Sequence, residues 1–207
     1  MSLSQTDLPL RGRWAIRIFI CFAFAYFVSY AFRSVNAVIA PELMADLQLN
    51  NSQLGLLSSA YFIGFAMMQI PLGYALDHFG VRRTESLLLL FACVGSLTFA
   101  LADGLWSLIA GRLLIGMGVS ACLMGSFTAY RRWYSSEQQG QLASGMLVFG
   151  TSGALATTVP VQWALTLIGW RGVFFVMAVM VAVALLAIRL GLPKFDDHPK
   201  VNNDPLE

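Results

Sequence analysis

The sequence predicts an all-α membrane protein built as a bundle of six transmembrane helices, and three observations carry that expectation. Hydrophobic residues make up 57% of the chain and charged residues 12%, against about 45–50% and about 25% in ordinary soluble domains. The apolar residues fall into six runs of about 20 residues or slightly more, the length that crosses about 30 Å of hydrocarbon at a helical rise of 1.5 Å. Lysines and arginines sit between the runs and cluster in alternate loops. Open strands are excluded because lipid offers no partner for an unpaired amide, and the runs lack the two-residue alternation of a barrel.

The elements follow in order. Span one, Trp14–Ile39, is too long for a signal-peptide core and has no small-residue cleavage site behind it, so it is read as a retained helix. Asn50-Asn51-Ser52 sits tight against the next run and is read as a polar helix cap in preference to a glycosylation site. Span two, Leu54–Leu76, ends in the charged hairpin GYALDHFGVRR, Gly73–Arg83. Span three is Ser86–Ala102, and span four is Trp106–Tyr130. Span five is Leu142–Leu165, and span six is Gly172–Leu192. The small residues Gly116, Ser120, Gly145, Gly150 and Gly153 of spans four and five favour close helix contact. Residues 1–13 form a polar N-terminal segment, and 193–207 form the hydrophilic tail PKFDDHPKVNNDPLE.

Charge sets an orientation. Arg11, Arg13 and Arg17 precede span one, Arg82 and Arg83 follow span two, Arg131 and Arg132 follow span four, and Arg189, Lys194 and Lys200 follow span six. The opposite loops carry Glu42, Asp46 and Asp103, with Arg171 as the one basic residue near a helix end. The positive-inside rule places both termini in the cytosol. A net charge of +2, dispersed over short loops, excludes nucleic acid as a partner. Cys21, Cys93 and Cys122 are isolated in apolar runs and read as small buried hydrophobes. His78 and His198 have no ligand neighbour, so no metal site and no cofactor is assigned. No nucleophile has a base and an orienting group, and no glycine loop cradles a phosphate, so enzyme chemistry finds no support.

The informative residues are charges inside or against the apolar runs. Arg33, in the outward half of span one, is expected to be functional because an unpaired cation there is costly. The alternative is snorkelling or pairing with Glu42 or Asp46. Arg112, in span four, is either structural, with its donors satisfied by neighbouring helices, or a substrate or coupling residue. Tyr30, Tyr61 and Gln69 are further candidates to line a cavity, with Tyr26, Asn36 and Gln162 behind them. Asp77 ends span two, where the helix dipole disfavours a carboxylate, so a partner is expected in Arg82, Arg83 or another helix N-terminus. Gly73 would admit a close neighbour, and Gly80 suits a turn of positive φ. No Asp or Glu is expected deep in any span.

GYALDHFGVRR resembles the signature between the second and third helices of the major facilitator superfamily, with Gly73, Asp77, Gly80, Arg82 and Arg83 in the matching places. GRLLIGMG resembles that family's fourth-helix pattern through Arg112, Gly116 and Gly118, and GWRGVF resembles the segment leading into its sixth helix. His78, and Gln138 after Glu137, depart from the usual basic residues. The resemblance implies an N-terminal six-helix half with 3+3 inverted repeats, Gly80-Val81-Arg82 and Gly169-Trp170-Arg171 standing at corresponding turns, and residues 193–207 beginning a central cytosolic linker. It implies a C-terminal half as partner and a multi-pass location in the inner or plasma membrane. It also implies a cytosolic latch of Asp77, Gly80, Arg82, Arg83 and Glu137.

YAFR with APEL beyond it resembles the first helix of organic-anion members, the organophosphate antiporters and anion:cation symporters, in which the arginine matching Arg33 binds the anion. The expected function is therefore alternating-access transport of a small organic anion. In the symporter relatives acids stand where this chain has Phe32 and Val119, which implies exchange, facilitated movement, or coupling through the other half. The other classes kept open are a broad-specificity exporter of lipophilic compounds and a non-transporting membrane fragment.

Overall fold

A computed structural model describes the backbone of residues 13–192. The tails 1–12 and 193–207, with the readings placed on them, lie outside the described residues. Seven helices follow in order: α1 Arg13–Leu47, α2 Asn51–His78, α3 Val81–Ala100, α4 Leu105–Val119, α5 Ala121–Trp133, α6 Ser136–Ala156 and α7 Val159–Gly191. Five helical stretches among the described residues are long and apolar enough to cross a membrane, α4 and α5 together counting as one through Leu105–Trp133.

The differences from the expected spans have local causes. Span one continues past Ile39, through Pro41, to Leu47; Gln48 with φ 51 then ends it, and the Leu49 amide donates back to the Met44 carbonyl. Arg33 therefore falls near the middle of α1. Span two starts at a capping box in which Asn50 and Gln53 satisfy each other's backbone amides, as a polar cap requires. Asn50→Ala is expected to cost about 1 kcal/mol, read as a lower melting temperature at unchanged helix content. The expected fifth span is divided. The hydroxyls of Thr157 and Thr158 bond back to Ala154 and Leu155 carbonyls, Pro160 follows with no amide to donate, and α6 stops at Ala156. The chain resumes helically to Ile168 and is redirected at Gly169 (φ 65, ψ 176). The stretch from Ser136 to Ile168 nevertheless runs along the length of α1. Tyr134 at its start bonds to the Ala15 carbonyl, and Gly169 at its end lies against Glu42, the two ends of α1.

The packing is antiparallel α3 against α4–α5 and α7, with α1 against α6 and α7, and α2 against α4. Gly111, Gly118 and Gly125, at heptad spacing, all face α3, meeting Gly95 and Phe99, Ala92, and Glu85 in turn. Gly116 faces the other way, onto the Tyr61 carbonyl of α2. Gly145, Gly150 and Gly153 of α6 lie on Phe19, on Tyr26 and Tyr30, and on the Phe27 backbone. These positions let helix axes approach in a setting where lipid supplies no hydrophobic drive.

Two glycines express the internal symmetry. Gly80 (φ 76, ψ 163) precedes α3, and Gly169 (φ 65, ψ 176) precedes the second part of α7. Both adopt the same positive-φ conformation, open to glycine alone at little cost, and each is followed two residues on by an arginine that ties its turn down. Arg82 donates to the Arg189 carbonyl, and Arg171 to Asp46 and the Ala102 carbonyl. The two turns sit at opposite ends of the bundle, as the register of α1 against α7 shows: Arg17 meets Leu190 at one end and Asp46 meets Trp170 at the other.

Candidate functional site

Arg33 lies between α1 and α2. Its guanidinium carbon stands 5.1 Å from the Tyr30 ring centre, 5.6 Å from Phe65 and 5.9 Å from Phe62. Tyr30 packs edge-on against Tyr26 at 5.0 Å, so Tyr26, Tyr30 and Arg33 form one stripe of α1. The Tyr61 hydroxyl, buried on α2, faces the same guanidinium. Arg33 is exposed, and among the described residues no carboxylate pairs with it. Asp46, one of the partners weighed for it, is engaged by Arg171 at 2.6 Å. Three rings hold the cation's flanks by cation–π attraction, worth up to about 2 kcal/mol when dry, and its N–H edge stays available. Gln69 is half-buried and donates to the Phe65 carbonyl of its own helix; Gln162 is exposed on α7.

Arg112 has the opposite environment. It is 1% exposed, donates to the Phe32 carbonyl at 3.2 Å and to Asn36 Oδ1 at 2.6 Å, and is stacked near Phe99 and Phe174 at 4.8 and 5.2 Å. Asn36 passes the connection on, donating to Ser58 at 2.8 Å. One polar chain thus ties α4 through α1 to α2, with only Nε of Arg112 left without an acceptor. Phe32 and Val119 are also buried.

At the hairpin end the residues named together from sequence are held apart. Asp77 lies 3.9 Å from Arg132 of α5, a solvent-exposed contact, and not against Arg82 or Arg83. Arg82 is drawn to the carbonyl end of α7, while Arg83 and Glu137 are exposed. Gly73 does not admit a close neighbour as expected: a Cβ there would meet nothing within 4 Å, because this face of α2 points away from the packed helices. Gly116 and Gly118 are the tight positions. At the other end Asp46 accepts from Trp170 Nε1 (3.0 Å) and Arg171 (2.6 Å). Among the described residues no group of three His, Cys, Asp or Glu side chains converges.

One residue escaped the sequence reading. Placing span three at Ser86 left Glu85 outside it, whereas α3 begins at Val81 and Glu85 is 0% exposed. Glu85 is thus a buried acid in the first turns of α3, at the hairpin end of the span. The signal was present, since Glu85 shares the helix face of Leu88, Leu89 and Ala92, all buried, at spacings of three, four and seven.

Residues 22–206 match the description Major Facilitator Superfamily. The chain is 28% identical over 183 residues to a Cupriavidus necator protein named a probable sulfoacetate transporter, covering 88% of this chain and 43% of that protein. It is also 28% identical over 177 residues to a quinolone resistance transporter of Acinetobacter baumannii, covering 82% of this chain and 39% of that protein. The crystal structure of the POT family transporter PepTSo has a similar fold, with a TM-score of 0.76 at 19% identity over 93% of this chain and 40% of the other. The chain spans less than half the length of these proteins, and the relatives are transporters. The spanning helices, the glycine turns repeated at opposite ends and the match from Phe22 onward place this chain in the Major Facilitator Superfamily.

Proposed function

We propose that this bundle, joined to a C-terminal six-helix half, moves a small organic anion across the inner or plasma membrane by alternating access, with Arg33 as its anion-binding residue. One observation carries the reading. An exposed cation near the middle of a spanning helix, flanked by aromatic rings and unpaired with any described carboxylate, is unfavourable in lipid and favourable only where an aqueous cavity and a counter-charge reach it. A guanidinium offers carboxylate, sulfonate or phosphate two parallel hydrogen bonds that lysine does not reproduce. Tyr30 and Tyr61 lie beside it for the uncharged part of the cargo, with Gln69 one to two turns further along α2. Arg112 is assigned to holding helices together. The distribution of Arg82, Arg83, Arg131 and Arg132 favours both termini in the cytosol. Asp77, met here by Arg132, belongs with Gly80, Arg82, Arg83 and Glu137 to a cytosolic latch whose remaining charge pairs would form in another state.

The test uses the full-length transporter containing this half and reads anion-dependent thermal stabilisation across a panel of carboxylates, sulfonates and phosphates. Arg33→Ala is expected to weaken the responding anion by about 10- to 100-fold, the worth of about 1.5–3 kcal/mol of charged hydrogen bonding. Arg33→Lys keeps the charge and recovers part of it. The similarity to a quinolone resistance transporter and the rings around Arg33 favour a second reading, export of lipophilic compounds. Charge reversal, Arg33→Glu, separates the two, because export that continues undiminished without anion dependence supports the exporter. Reconstitution of residues 1–207 with and without the C-terminal half tests whether one half transports alone.

A further inference from the structure

Two exposed aliphatic stripes on neighbouring helices are headed by arginines at the same end of the bundle. On α3, Arg83 is followed on its own face by Leu87, Leu90 and Val94, all exposed. On α7 the exposed Val183, Leu186 and Leu190 run the opposite way and reach the exposed Arg189, three residues after Leu186. Residues at intervals of three and four share a helix face. The two helices pack antiparallel along a seam. Arg82 donates to the Arg189 carbonyl from Nε at 2.9 Å and from Nη2, and Ser96 donates to the Phe174 carbonyl at 2.9 Å. From Arg82 to Ser96 is about 21 Å of helix, more than the hydrocarbon depth of one leaflet, about 15 Å.

The positive charge at this end exceeds what the chain offers to balance it. Arg82 and Arg189 meet at the last turn of α7, and Arg83 is the next residue of α3. Among the described residues no carboxylate pairs with any of the three, because Asp77 faces Arg132, and Asp46 and Asp103 face Arg171. The carbonyl end of a helix supplies only about half a negative charge. Surplus guanidinium at the edge of hydrocarbon calls for an anion, and acidic lipid headgroups meet basic pockets between spanning helices. Residue size decides what covers the stripes below. Helices associate in lipid through small residues, and those of α3 are turned inward, Ala92 onto Gly118 and Gly95 onto Gly111. The outer face presents leucine and valine, which suit acyl chains and not a second copy of the chain.

We propose that the α3–α7 seam at the hairpin end is a binding site for a phospholipid of net negative headgroup, with its phosphate held between Arg83 and Arg189 and its acyl chains laid along the two stripes. A guanidinium gives a phosphate diester two parallel hydrogen bonds, and arginines on adjacent helices engage it from both sides of the seam. Arg82 adds its charge and fixes the level at which the two helices meet. A zwitterionic headgroup brings its own cation against the arginines and is disfavoured. The bound lipid joins α3 to α7 where Arg82 already ties them, whichever cargo the transporter moves.

The test uses the purified full chain, delipidated in detergent and titrated with dioleoyl phosphatidylglycerol or with dioleoyl phosphatidylcholine as the zwitterionic control, bound lipid being counted by native mass spectrometry. The unmodified chain is expected to hold one phosphatidylglycerol about 10- to 30-fold more tightly than phosphatidylcholine, about fivefold for each arginine at the headgroup. Arg83→Gln combined with Arg189→Gln is expected to remove that preference. Arg131→Gln, an exposed arginine of α5 at the same end, is expected to keep it. Equal affinity for the two lipids, equal loss in Arg131→Gln and the double variant, or release of phosphatidylglycerol by millimolar inorganic phosphate would each overturn the proposal. So would a dimer of the chain that forms as lipid is removed and is abolished by the double variant. The comparison of the two lipids needs no variant, so it decides the matter even where the double variant does not fold.

Discussion

Gly118→Leu is expected to abolish the folded bundle. A Cβ at Gly118 would overlap the backbone nitrogen, Cα and Cβ of Ala92, and backbone atoms in the middle of a packed helix cannot step aside as a flexible side chain can. Overpacking usually costs about 1–3 kcal/mol. Here the collision is with the helix itself and lies at the centre of the glycine row that joins α4–α5 to α3, so about 4 kcal/mol or more is expected. Gly118→Ala falls in the lower range. The measurement is thermal unfolding of detergent-purified chain with the monodisperse yield. Gly73→Ala serves as the control, because open space surrounds it and a helical alanine is favoured over glycine by about 0.5–1 kcal/mol. An equal gain in Gly118→Ala and Gly73→Ala would show that helix propensity, and not the α3–α4 contact, sets stability.

Arg112→Ala is the second large effect, and it separates the two arginines. Truncation empties a fully buried site and strips the Phe32 carbonyl and Asn36 Oδ1 of their donor. Each buried acceptor left alone costs about 1–3 kcal/mol, so a total near 3 kcal/mol is expected, seen as a lowered melting temperature. Because Arg112 is enclosed, anion affinity of the protein that remains folded should stay within a few-fold of the unmodified value. Arg33→Ala should do the reverse, leaving stability nearly unchanged and removing anion response. If Arg112→Ala kept its melting temperature and lost anion binding, the assignment of roles would be exchanged.

How much of this was readable beforehand depends on the residue. Asn50 as a cap was legible, since a capping box is closed within four residues of sequence. Gly80 was also legible, because positive φ is a local demand of a tight turn; Gly169 was marked only as standing at the corresponding turn of the repeat. The latch at the hairpin was only half legible. Its members are adjacent in sequence, but Arg82 is claimed by a carbonyl of α7 and Asp77 is met by Arg132, both far along the chain. The two readings of Arg112 could not be separated from sequence either. Whether a buried guanidinium is satisfied depends on which carbonyls and amides two other helices bring to it.

The sequence by itself determined the solvent of this protein, its all-helical class and the glycine turn at Gly80, because hydrophobic length, charge placement and glycine conformation act over a few consecutive residues. Only the tertiary structure decided which charges stand free and which are enclosed. Arg33 and Arg112 are the same side chain in similarly apolar runs, and Glu85 sits one turn inside a boundary that composition placed just beyond it. What distinguishes them is the neighbouring helix, whose approach is set by long-range packing at Gly111, Gly118 and Gly125 and is recorded nowhere in the local sequence.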